Sequence, residues 1–505
     1  MLYVQVEPRH SIYVSSETTG SFIVDAALSF LFGSSYYNST SVAESSNEPF
    51  TELFFTIAIE SDDLVLVSNQ VAINSTDNLF DFDLSVLKPR TDAYNIVLFG
   101  ASQDGNQTYT ATTKLYYLPA KTTGSMTKID NLNGGFLFAN NVSNFAFEPF
   151  LMYGFYTDYG GYLDLSFSNI QAYFDLGYTV VHPIPTFSDN LTSILDYLDE
   201  INLEFQYDMR GSYTNLTSVQ EQVEMVQNYS SLFAYYTADE PDGWQYPLNS
   251  TKIAYDLIAS LDKYHPVGLA LNCKNFYFKE YSAGADFLME DAYPIGINAT
   301  WSIPWDTPCN STYGDCGCDD CIGELVDVPD RLDAFSNYQE WLGQWQKPYS
   351  AVPQAFDGEG YWDRNPSAEE TWVMILLSFN HRAKSIMAWT FPTTTDLATA
   401  YSEMSKVVTV EPVLGFLTGG QPQSISVKGH PLLDVAYWLV GTQIMVSVAN
   451  MDYATTSAKI TIDLPVSPSF IASSPWGSVD WALSGNTISG KGLAALATSL
   501  IILQL

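Results

Sequence analysis

At 505 residues, with 46% hydrophobic and 14% aromatic content, the chain is too long for one core and too apolar to be disordered, so two or three domains are expected. Its 57 acidic against 20 basic residues leave a formal charge of −37, which repels nucleic acid and other polyanions and favours a neutral or cationic ligand. Ten Asn-x-Ser/Thr sequons (Asn38, Asn74, Asn106, Asn141, Asn190, Asn215, Asn228, Asn249, Asn298 and Asn310) exceed chance several-fold and predict a secreted, glycosylated protein.

The N-terminus, MLYVQVEPRH, has no charged segment followed by an apolar one, so the reading is that a signal peptide has been removed. From there to about residue 147, alternating runs such as FTELFFTIAI, AYNIVLFGA and TYTATTKLYYL, separated by polar turns, predict a β-sandwich domain. Across 148–410 the pattern changes to short apolar strands alternating with helical periodicity. Eight strands are expected, at 150–156, 178–185, 203–210, 232–240, 267–272, 286–291, 349–357 and 385–391. Leu191, Ile194, Leu195 and Leu198 mark one intervening helix, and Ile253, Leu257, Ile258 and Leu261 another. Ser367 and Glu370 form a capping box opening the helix before the eighth strand. Eight such units in about 260 residues match a (β/α)₈ barrel. The runs DVAYWLVGTQIMVSVAN and AKITIDLP predict a smaller C-terminal β domain over 411–505. The fold class is therefore α/β, a barrel flanked by two β domains. The tail GLAALATSLIILQL is too short to span a bilayer as a helix. It reads as a final buried strand, with a lipid-anchor signal, and hence cell-wall or membrane association, as the alternative.

In such a barrel the active site lies at the C-terminal ends of the strands. Those ends carry His182, Asp208, Arg210, Asp239, Glu240, Asn272, Glu290, Asp291, Tyr293, Gln354, Asp357 and Trp389. A ring of carboxylates with aromatic platforms suits sugar cleavage, whose oxocarbenium-like transition state needs an acid, a negative stabiliser and flat apolar faces. The sharpest motif is ADEPDGW, Ala238 to Trp244, in which two adjacent carboxylates close the fourth strand. Their repulsion raises one pKa and supplies an acid near neutrality. Asp239, Glu240 and Asp291 are the catalytic candidates; His182, Asp208, Arg210, Asn272, Tyr293, Gln354, Trp362 and Trp389 are the substrate-binding candidates. Blander roles compete: Asp239 as a helix cap, His182 as the partner of a buried backbone group, Arg210 as a salt bridge to Asp208. Glu369 and Glu370 read as charges at a helix start.

The strand-four Asp-Glu-Pro, the DAYP of Asp291 to Pro294, and PQAF followed by a helix and AKSIMAWTF resemble the barrel glycosidases of glycoside hydrolase family 123 and their fungal secreted relatives. That resemblance implies a retaining β-N-acetylhexosaminidase in which the substrate's acetamido oxygen attacks. Asp239 would stabilise it and Glu240 would be the general acid/base. The competing two-carboxylate scheme needs a nucleophile at the end of strand seven, where Gln354 cannot serve, and Asp357 and Glu359 are offset. An inverting enzyme with Asp291 as base is the third reading. A non-catalytic carbohydrate-binding cell-wall protein remains a rival of another class, whereas a phosphate-using barrel lacks a Gly-rich loop after strands seven and eight. The expected partner is an oligo- or polysaccharide, with no cofactor and no metal. Cys309, Cys316, Cys318 and Cys321 crowd the insertion after strand six, and an oxidising compartment favours disulfides over zinc. With Cys273 the count is odd, so two bridges and one free thiol are expected, and Cys273 is a candidate tether for the insertion.

Overall fold

The computed structural model describes residues 1–38, 49–62, 64–309 and 317–505. Two compact units result: Met1–Thr122 with Lys128–Leu132 and Gly343–Trp345, and Thr123–Thr127 with Asn133–Leu342 and Gln346–Leu505. The first unit is a β-sandwich. An antiparallel sheet of Leu2–Pro8, Thr19–Leu28 and Asn78–Asp83 faces one of Val65–Ala72, Glu52–Ile59, Tyr94–Ala101 and Thr108–Leu115. Strict alternation turns Phe22, Val24, Leu53, Phe55, Ile57, Ile96 and Leu98 into the shared core.

The second unit holds a closed parallel barrel. Its strands are β1 (Tyr153–Asp158), β2 (Val180–Ile184), β3 (Glu204–Asp208), β4 (Leu232–Asp239), β5 (Val267–Leu271), β6 (Phe287–Glu290), β7 (Tyr349–Ala351) and β8 (Ala383–Phe391), with β8 pairing back onto β1. The helices between them are α1 (Phe167–Asp175), α2 (Leu191–Ile201), α3 (Leu216–Val226), α4 (Ser250–Leu261), α5 (Phe278–Ser282), α6 (Asp327–Trp341) and α7 (Ala368–Asn380), and α8 (Thr395–Val408) follows β8. All eight expected strands are present. Gly154 lets β1 approach β2, since a Cβ there would lie 1.9 Å from the Val180 carbonyl oxygen. The first unit ends earlier than the change of style near residue 147 suggested, because Phe136, Phe138 and Phe150 pack on Phe233, at the start of β4, with centroids 5.0–5.9 Å apart. These rings belong to the barrel's unit, on a separate small sheet of Ser125–Ile129, Phe136–Asn140 and Glu148–Phe150.

The C-terminal sheets lie in the same unit as the barrel. The tail forms the strand Thr498–Gln504 inside a five-stranded sheet, flanked by Gln443–Asn450 and Phe470–Trp476, and is buried along nearly its whole length. Among the described residues no helix is long and apolar enough to cross a membrane. Helix α7 is buried on nearly all sides, as its apolar run VMILLSF requires. Its N-terminus carries the expected capping box, Ser367 with Glu370, and Glu370 also accepts from Arg364 and from the Tyr453 hydroxyl at 2.6 Å.

At the other end of α7, His381 lies between two carboxylates, 2.9 Å from Asp333 and 3.0 Å from Asp434. Burial alone would lower its pKa, but the hydrogen bonds and charges of Asp333 and Asp434 outweigh burial and push it up to about 9. A raised histidine pKa stabilises the fold fully below the ordinary value of 6.5 and loses that contribution as pH rises through about 9. The melting temperature is therefore expected to fall between pH 6.5 and 9, and the fall should be shallower in His381→Gln. Equal slopes by calorimetry would show that the histidine is not charged in the fold.

Candidate active site

Four neighbouring strands build one charged, hydrogen-bonded row at the C-terminal mouth. On β2, His182 is fully buried, with Nδ1 3.1 Å from Gln206 Oε1 and Nε2 2.7 Å from Asp208 Oδ2, both on β3. Its ring stacks on Tyr156 of β1 at 4.1 Å, and burial lowers its pKa against the opposing pull of Asp208. Burial would raise the Asp208 pKa, but Arg210, and then His182, hold it below the usual value. Arg210 donates from Nε to Asp208 and from Nη1 to Asp239, each at 2.6 Å. The salt bridge to Asp208 anticipated from the sequence is thus half of a bidentate clamp. The guanidinium also lies 5.2–5.4 Å from the ring centroids of Tyr156, Tyr236 and Trp389.

Asp239 receives that guanidinium on one oxygen and the Tyr236 hydroxyl, at 2.5 Å, on the other. It is not a helix cap. The β4–β5 register shifts between Tyr236 and Asp239, a bulge of the kind that re-aims a strand end. Glu240 follows with φ +47°, a left-handed backbone that costs a β-carbon-bearing residue ~1–3 kcal/mol and that proteins tolerate chiefly at working sites. Asn272, just past β5, donates to Glu240 Oε1 at 2.9 Å. Burial, then the Asp239 charge, raise the Glu240 pKa to about 7. Asp291 lies against Glu240, hydrogen-bonded to it, and burial followed by the Glu240 charge drives its pKa well upward. Each of the two carboxyls thus disfavours ionisation of the other. Among the described residues Arg210 Nη2 and Asp291 Oδ1 are buried without a hydrogen-bond partner.

Tyr293 is buried beside Asp291 and Glu240, which follow burial among the causes raising its pKa. Trp389 stays partly exposed and donates from Nε1 to Glu359 at 3.2 Å, so it can offer a face to a sugar. Two other expected binding residues have different occupations. The Gln354 side chain is fully buried and exchanges hydrogen bonds with both backbone groups of Ile295 at 2.9 Å. Trp362 is buried against Tyr293 and Phe356 and donates to the Tyr293 carbonyl at 2.9 Å, which makes it a support for the loop after β6. Glu290 pairs with Arg331 at 3.3 Å, and Asp357 accepts from Asn365 at 2.7 Å. The sequence reading passed over Tyr156 and Tyr236, which looked like core, and over Trp244, Trp301 and Trp305 in the loops after β4 and β6, of which Trp244 is 72% exposed.

The cysteines require a correction. Cys318 pairs with Cys321, and Cys309 is also disulfide-bonded. Cys273 is free, so it does not tether the insertion through a disulfide. Arg331 of α6 takes that role, donating to the Asp319 carbonyl at 2.5 Å and to the Asn272 carbonyl. Cys316 and the sequon Asn310 lie outside the described residues. Burial, with Asp242 and Asp319 adding to it, raises the Cys273 pKa strongly. Iodoacetamide is accordingly expected to label Cys273 only after denaturation, leaving Cys309, Cys318 and Cys321 unlabelled until reduction; peptide mass mapping checks both. Among the described residues no three His, Cys, Asp or Glu side chains converge to hold a metal ion.

No family model matches the chain, and no curated protein matches it. Among solved structures it is similar to a GH2 β-galacturonidase from Eisenbergiella tayi, with 16% identity, a TM-score of 0.37, and coverage of 77% of this chain and 65% of that one. The chain thus spans just under two thirds of that enzyme. It is also similar to a GH30 endoxylanase from Clostridium papyrosolvens (12% identity, TM-score 0.44, 70% of this chain and 97% of that one). An α-amylase from Anoxybacillus gives 9% identity, a TM-score of 0.44, and coverage of 68% and 91%.

Proposed function

We infer that the chain is a glycoside hydrolase cleaving β-linked glycosides, acting as a retaining, substrate-assisted N-acetylhexosaminidase in the manner of glycoside hydrolase family 123. The observation that carries this reading is the contrast between two adjacent carboxyls: Glu240, with its pKa raised to about 7, and Asp239, ion-paired with Arg210. Glu240 gives its proton to the glycosidic oxygen as the C1–O bond breaks. The substrate's acetamido oxygen attacks C1 and forms an oxazolinium, whose positive charge Asp239 faces. Water, losing a proton to Glu240, then attacks C1 and opens that ring. In this reading Arg210 Nη2 and Asn272 bind hydroxyls of the sugar, and Trp389 lies under its ring.

The hydrogen bond between Asp291 and Glu240 speaks against the inverting alternative, which needs ~6.5–9.5 Å between acid and base. A protein nucleophile keeps one supporting observation, the contact of Glu359 with Trp389. Eight of the nine described sequon asparagines are exposed, Asn190 being half-buried, which supports the proposal of a secreted glycoprotein acting on extracellular or cell-wall saccharides. A thiazoline mimic of the oxazolinium tests the mechanism. Tight competitive inhibition is expected, whereas a covalent adduct on Glu359, Asp357 or Asp291 from a 2-fluoro sugar, without thiazoline inhibition, would move the assignment to the two-carboxylate scheme.

The protonated acid also sets a pH dependence. Because the Glu240 pKa is raised to about 7 and its proton is what the first step consumes, kcat/KM should fall as pH rises through about 7. A profile flat from pH 6 to 9 would remove Glu240 from that role.

A further inference from the structure

The second sheet of the β-sandwich unit has an outward face that its role in the core does not explain. On Glu52–Ile59, alternation sends Leu53, Phe55 and Ile57 inward and Phe54 and Thr56 outward. Phe54 is paired across the ladders with Gln70 and Ala101, and Thr56 with Ser68 and Phe99. The two phenyl rings therefore stand on neighbouring strands in diagonal register. They are 40% and 50% exposed. With Thr56, Ser68, Asn69, Gln70 and Ala101 they line a shallow recess.

Two features say what fits there. In a chain of net charge −37, every described residue lining the recess is uncharged, and the polar ones among them carry only hydroxyl and amide groups. The apolar area is also small: two half-exposed rings present roughly 200 Å², far below the ~800 Å² per partner that a stable protein interface buries. Flat apolar faces edged by neutral donors and acceptors match the apolar face and hydroxyl rim of a pyranose. We propose that this face, centred on Phe54 and Phe99, is a binding site for a neutral oligosaccharide, separate from the carboxylate row of the barrel. It holds a glycan chain without cleaving it, since no carboxylate lies among the described lining residues.

Affinity electrophoresis of the full chain tests this without requiring turnover, so its outcome is independent of whether the barrel hydrolyses anything. Native gels would contain xylan, mixed-linkage β-glucan or glycol chitin, with polygalacturonate as the charged control. Retardation is expected in at least one neutral gel and not in the control. Phe54→Ala/Phe99→Ala should weaken it at least tenfold while leaving turnover of a small 4-nitrophenyl glycoside unchanged. Ser68→Glu, which keeps both rings, should weaken it as well and guards against a folding artefact. The proposal is overturned if the wild type migrates freely in all three neutral gels, if the double variant is retarded as strongly as the wild type, or if sedimentation shows that the double substitution instead dissociates a dimer.

Discussion

Glu240→Gln is expected to lower turnover of an unactivated β-glycoside by ~10²–10⁴-fold, the usual worth of a positioned general acid. Glutamine keeps the size of the side chain and can still meet the Asn272 amide that donates to Glu240 at 2.9 Å, so the loss measures the proton and not the packing. With a 4-nitrophenyl glycoside, whose leaving group needs little protonation, the bond-breaking step should be partly spared. Steady-state kcat/KM on both substrates checks this. Equal losses on the two would argue against Glu240 as the acid, because a residue that merely shapes the site does not distinguish leaving groups.

Asp239→Asn should have the second largest effect. Asp239 accepts from Arg210 and from Tyr236, and asparagine retains the shape while removing the charge that an oxazolinium needs opposite it. A loss of ~10²–10³-fold is expected on an N-acetylated substrate, comparable to removing one preorganised group from a charge-stabilising site and well above the ~1 kcal/mol of a neutral hydrogen bond. On a non-acetylated glycoside the change should be smaller. Because Asp239 is partly exposed and Arg210 keeps Asp208 as a partner, the melting temperature should move little. A large drop in melting temperature with equal losses on both substrates would make Asp239 a structural anchor for Arg210.

The barrel was legible because each strand is a short apolar run closed by a polar residue, and the closure by Asp239 and Glu240 showed up as a pair of like charges at a chain reversal. Strand seven shows the limit. Its run YSAVPQAFD suggests 349–357, yet the continuous strand ends at Ala351, since Pro353 has no N–H to give, and pairing with β8 resumes only as an isolated bridge between Gln354 and Trp389. In the sequence Gln354 and Trp362 look like ligand contacts; only the folded chain reveals that neighbouring backbone groups already occupy them. Tyr156 and Tyr236 went unnoticed for the opposite reason. Both sit inside apolar strands, where nothing in one dimension separates a core tyrosine from one whose hydroxyl reaches a carboxylate three residues on, across a bulge. The adjacency of strands five and six makes Cys273 the expected tether, but Arg331, far along the chain, fastens the same loops.

The measurement that bears most directly on the proposed activity is release of 4-nitrophenol from a matched panel of β-glycosides, N-acetylated and not, by the wild type and by Glu240→Gln side by side. The account predicts turnover of an N-acetyl-β-hexosaminide in preference to its non-acetylated counterpart, with a reduced rate in the variant and kcat/KM falling above about pH 7, where Glu240 loses its proton. Turnover of non-acetylated glycosides at an equal or higher rate would contradict substrate assistance, and wild-type rates retained by Glu240→Gln across the panel would contradict the active site itself.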